Sequence, residues 1–98
     1  MAARIVWSPA AIDDVVAIVE YIERDSPPIA TRVAKDIVAA IDAAADHPLA
    51  GRIVPEFGDT GLRERIVYPY RVIYRVTGEA IFVIAVIHGR RLLTPLTR

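Results

Sequence analysis

Ninety-eight residues, 54% of them hydrophobic, fit one compact domain spanning 1–98, because a chain this short buries a single core and this composition is too apolar for disorder. With no cysteine there is no disulfide framework or thiolate metal site, and only His47 and His88 remain as soft ligands, so neither a metal nor another cofactor is expected. The net charge is zero, yet residues 1–49 carry four basic against eight acidic side chains and residues 50–98 carry eight against four, which predicts an anionic partner for the C-terminal half.

The opening MAARIVWSPAAID lacks the basic stretch and apolar run of a secretory signal, and no segment approaches the ~20 apolar residues that span a bilayer. A cytoplasmic protein without membrane contact is expected. RIVW (4–7) reads as a short strand that stops at Ser8-Pro9, an N-cap followed by proline at the first helical position. The helix that follows carries Ala11, Val15, Ile18 and Ile22 on one stripe, widened by Ile12, Val16 and Val19. Asp13-Asp14 falls on its solvated face and gives no acid/base signature.

Ser26-Pro27-Pro28 repeats the start signal, and a second stripe runs through Ile29, Val33, Ile37, Ile41 and Ala44 until Asp46-His47-Pro48 ends it. Two helices joined this closely form an antiparallel hairpin. Residues 48–61, PLAGRIVPEFGDTG, read as a long loop whose IVPEF could dock on the core. LRERIVY (62–68), YRVIYRV (70–76) and IFVIAVI (81–87) then form an antiparallel meander, with the last, apolar on both faces, in the sheet interior. The closing HGRRLLTPLTR is a basic tail whose proline argues against a long final helix.

Alternation within the strands puts Arg63 with Arg65, and Arg71 with Arg75, on the less apolar side of each. If the helices cover the apolar side, all four arginines emerge together on the far face, since an unpaired buried guanidinium is prohibitively costly. His88, Arg90 and Arg91 would extend that basic face at one end. Such a surface can hold phosphates; alternatively it is a solvated face whose charges pair with Glu56, Glu64 and Glu79. Arg71, His88 and Arg91 have the chemistry of phosphoryl transfer, two guanidiniums against developing charge and an imidazole to move a proton. Equally, a histidine at a strand end is a hydrogen-bonded structural residue. Tyr68, Tyr70 and Tyr74 could stack on bases, but the parity of Tyr70 and Tyr74 directs them to the helices.

In order and spacing, WSPAAIDDVVAIVEYI, HPLAGRIVPEF, LRERIVYPYRVIYRV and VIHGRR resemble the RelE/ParE superfamily of type II toxin-antitoxin toxins. The resemblance implies an α+β fold, with an N-terminal strand and an antiparallel two-helix hairpin packed on a twisted, mainly antiparallel sheet of about four strands. It implies a cognate antitoxin that binds apolar grooves on the hairpin, the sheet edge and the basic sheet face, giving a hetero-oligomer. WSPAAIDDV, HPLAGR and VIHGRR look more like the ParE branch, which implies inhibition of DNA gyrase with no catalytic set. The RelE branch implies an endoribonuclease that cuts messenger RNA on the ribosome. For that activity Arg63, Arg65, Arg71 and Arg91 match basic motif positions, and His88 would replace a C-terminal tyrosine that LLTPLTR lacks. A third possibility is an inactive relative that only binds antitoxin.

Overall fold

A computed structural model describes residues 2–91, and both helices begin where serine and proline predict. Helix α1 spans Pro9–Glu23 and α2 spans Pro27–Asp46. Ser8 Oγ accepts the Ala11 N–H at 3.0 Å and Ser26 Oγ the Ile29 N–H at 3.4 Å, each satisfying a donor that the first helical turn leaves free. The reading of LLTPLTR as a tail falls on residues 92–98, outside the described residues.

Five strands form one sheet: β1 (Arg4–Trp7), β2 (Arg52–Ile53), β3 (Leu62–Val67), β4 (Tyr70–Thr77) and β5 (Ala80–His88), in the order β1-β5-β4-β3-β2. β1 runs parallel to β5 and all other pairs are antiparallel. The fold is α+β as expected, and β5 lies inside the sheet as its unbroken apolar run requires. The additional strand is β2, two residues within 48–61 and too short to leave a periodic signal.

The helical hairpin covers one face. Ala11, Ile37, Ile41 and Ala44 pack there on Val72, Tyr74, Ile81, Val83 and Val86; each fully buried isoleucine among them stabilises the fold by about 1.5–3 kcal/mol. The tight fit around Tyr74 extends to Gly51, where any Cβ would overlap the Tyr74 hydroxyl, itself donating to Pro48 O at 2.8 Å. Ile12 and Val16, expected to widen the buried stripe, are about half exposed, because α1 meets β5 along a narrower contact than its apolar arc.

A second, smaller core fills the other face. Val54, with Phe57 beside it, packs on Leu62, Ile73, Ala85 and Ile87, so IVPEF does dock, and the far side of the sheet is covered where an open basic face was expected.

Register corrects the placement of the arginines. Arg63 pairs with Tyr74 and Arg65 with Val72, whereas Leu62 pairs with Arg75, Glu64 with Ile73 and Ile66 with Arg71. Directly opposed residues share a face. Arg63 and Arg65 therefore lie on the helix side, while Arg71 and Arg75 lie under the 54–59 segment. The β3 side chains are mixed in polarity on both faces, so apolarity could not orient this strand.

Candidate functional site

Arg71 sits at the centre of the charged residues on the second face and is 4% exposed. Its Nη1 and Nη2 donate to the two Glu56 oxygens at 2.6 and 2.7 Å. Nε and Nη2 donate to Glu64 Oε1 at 2.9 and 2.6 Å, and Nη1 also reaches Arg91 O at 3.1 Å. A guanidinium has five N–H donors, and these contacts use them all. Glu64, 1% exposed, is completed by Arg52, whose Nε donates to Oε2 at 2.8 Å and whose Nη2 pairs with the same oxygen. The hydrogen bonds that Arg71 donates to Glu56, aided by its bonds to Glu64 and the charge of both carboxylates, outweigh burial and raise the Arg71 pKa above its ordinary value. Its charge therefore persists across the working pH range.

The other sheet arginines have separate tasks. Arg75 pairs with Asp59 at 3.2 Å. Arg63 donates to Thr60 O at 2.7 Å, Leu49 O at 2.8 Å and Gly51 O at 3.1 Å, clamping the chain on either side of β2. Arg65 has a buried Nε with no partner among the described residues. Glu56 and Glu64 pair with sheet arginines as the solvated-face reading allowed, while Glu79 is exposed in the β4–β5 turn.

Arg71, His88 and Arg90 line one cleft of about 400 Å³ at the tip of the β3–β4 turn, together with Arg52, Ile66 and Tyr68; the Arg91 carbonyl reaches the same place through its bond from Arg71. The turn contains a cis Tyr68–Pro69 peptide. His88 is exposed; its Nδ1 accepts the Arg90 N–H at 3.2 Å and its ring meets Tyr70 edge-on at 6.1 Å. Of the residues singled out in the sequence, Arg71, His88 and Arg90 line the cleft, Arg91 reaches it only through its carbonyl, and Arg63, Arg65 and Arg75 are elsewhere. The sequence offered no reason to add Arg52, whose only signal was its place in HPLAGR.

Asp14 also departs from its expected solvated role. β1 ends at Trp7 while β5 continues, and there Ser8 Oγ donates to Ile84 O at 3.2 Å while the Val86 N–H donates to Asp14 Oδ2 at 2.9 Å. Side chains of α1 thereby satisfy β5 where its neighbouring strand has stopped. The same stretch of β5 carries a register shift opposite Ile73/Tyr74.

A two-helix hairpin on this mixed sheet, with one face bridged by paired charges, defines a small protein of the α+β class. Residues 5–93 match the model of the ParE toxin of type II toxin-antitoxin system, parDE, and the chain belongs to that family. It is 34% identical over 91 residues to Toxin RelE2 of Caulobacter vibrioides, covering 92% of this chain and 99% of that protein. It is 32% identical over 90 residues to Putative toxin Y4kP of Sinorhizobium fredii, covering 90% of each. Among solved structures, the chromosomal ParDE toxin-antitoxin system from P. aeruginosa shares the fold with a TM-score of 0.71 at 22% identity, covering 89% of this chain and 96% of that one. As a type II toxin, the chain has a protein antitoxin for partner. No described helix is long and apolar enough to cross a membrane.

Proposed function

We propose that this toxin arrests growth by acting on DNA gyrase in the cytoplasm, and that its antitoxin neutralises it in a hetero-oligomer. The observation that carries the reading is the state of Arg71: every N–H donor is engaged by Glu56, Glu64 or the Arg91 carbonyl. A scissile phosphate would have to displace two carboxylates from a buried guanidinium, which opposes a nuclease built on this residue. Inhibition through a binding surface has no such requirement. Antitoxin docking is supported by the exposed apolar residues of the hairpin, Ile12, Val16 and Val38.

The second reading, a ribosome-dependent endoribonuclease, draws on His88 and Arg90 at the cleft with Arg91 adjoining it, and on the relative called Toxin RelE2. An inactive antitoxin-binding relative is the third. Induction without antitoxin, followed by separate measurement of plasmid supercoiling and of message integrity, discriminates among them. Relaxed plasmid with intact messages is expected; codon-linked cuts with normal supercoiling would establish the nuclease, and undisturbed growth the inactive relative.

A further inference from the structure

Residues 52–60 leave as β2, cross the second face of the sheet and return to it at β3. One side chain holds both ends of this strap. Arg63 Nη1 donates to Leu49 O at 2.8 Å and Gly51 O at 3.1 Å on the way out, and its Nε donates to Thr60 O at 2.7 Å on the way back. Between those points the Phe57 and Gly58 N–H groups both donate to Val54 O, at 3.2 and 3.1 Å, and Gly58 turns the chain at φ 64°. The Gly61 N–H donates to Asp59 Oδ1 at 2.9 Å. Joined ends and internal bonds are the build of an Ω-loop.

Its hold on the sheet is of another kind. Two apolar side chains, Val54 and Phe57, enter the smaller core, and two ion pairs latch it, Glu56 on Arg71 at 2.6 Å and Asp59 on Arg75 at 3.2 Å. Closed, the face sets Arg52, Arg71 and Arg75 against Glu56, Asp59 and Glu64, and these charges cancel. Lifting residues 54–59 takes away Glu56 and Asp59 but leaves Glu64, which belongs to β3, on Arg71 and Arg52. Of these six groups the open face keeps three arginines and one acid, 3 − 1 = +2, beside uncovered Leu62, Ile73 and Ile87.

We propose that residues 54–59 are a self-masking strap, which opens as one unit about the Arg63 clamp and so gates the positive charge of this face. Segments with few apolar anchors open at a lower free energy than the whole fold. Joining both ends to one guanidinium makes the strap move together, where a loop with separate ends would fray from either side. The charge excess of residues 50–98 is thus cancelled in the closed form and released on opening. The gate is a property of the chain itself and requires neither gyrase nor ribosome.

Native-state hydrogen exchange of the full chain, followed residue by residue by NMR, tests it. The amides of Val54, Phe57, Gly58 and Gly61 are expected to share one opening constant, larger by about tenfold or more than that of Val72 and Tyr74 in β4. Glu56→Gln and Asp59→Asn should each raise the strap constants together by about tenfold and leave β4 unchanged, while Glu79→Gln, exposed in the β4–β5 turn, should alter neither. Arg63→Ala should break the unison, so that Val54 and Gly61 exchange at different rates. The β4 amides report the whole fold in every variant, which separates an opened strap from a lost structure. Strap amides that exchange only at the β4 rate in the wild-type chain, or at unrelated rates there, overturn the proposal. So do strap rates unchanged in both latch variants, or raised no more than those of β4.

Discussion

Arg71 shows how a residue with catalytic chemistry can be structural in its setting. Removing its side chain leaves Glu64 buried with only exposed Arg52 for company. Arg71→Ala is expected to cost about 3–5 kcal/mol, a large part of the 5–15 kcal/mol typical of a whole domain, read as a lowered urea midpoint. The paired replacement Arg71→Met with Glu64→Leu should lie closer to wild type than the single variant, because it removes the buried charge along with its partner. Loss of toxicity in Arg71→Ala would then report unfolding before it reported chemistry. Gly51→Ala acts by another route, since its methyl group must displace the Tyr74 hydroxyl from Pro48 O. A cost of about 1–3 kcal/mol is expected by thermal melting, with Ala50→Gly, at an exposed neighbouring position, as the milder comparison.

Between elements, the contact to check is Asp14 on β5. Asp14→Ala leaves the Val86 N–H without its acceptor and should destabilise by about 1–3 kcal/mol, with faster hydrogen exchange at Val86. Asp13→Ala, on an exposed neighbour, should do neither. The pair also marks the limit of sequence reasoning. Ser8, Ser26 and their prolines were legible because capping acts within four residues. Parity within β3 and β4 was legible for the same reason. The side that each strand turns to the helices was not, because it depends on pairing with another strand, and β3 has no clearly apolar face to settle the matter. Asp14 was misread because its partner is 72 residues away. Among the candidate site residues, Arg71, His88 and Arg90 converge because the antiparallel register of β4 and β5 sets Tyr70 opposite His88. Glu56 lies 15 residues from Arg71, in a segment whose apolar anchors were visible but whose landing place was not.

The whole molecule carries one layer of helices and, on the opposite face of the sheet, a segment tied down by Glu56, Asp59, Val54 and Phe57. Its charge asymmetry is consequently less available than composition implied, since much of the positive charge in the C-terminal half is paired internally. Among the described residues, the exposed features include apolar positions on the hairpin and the cationic, aromatic cleft at the β3–β4 turn. Val38→Asp, in the shallow groove between Ala34 and Asp42 on α2, should weaken antitoxin binding by tenfold or more, about 1.4 kcal/mol, with little change in melting temperature, as measured by calorimetry. The central claim, that the toxin acts on gyrase through a binding surface, is tested most directly by adding the purified chain to gyrase and relaxed plasmid. Supercoiling should stop and return when antitoxin is added. Undiminished supercoiling at toxin concentrations that cut ribosome-bound message would contradict it.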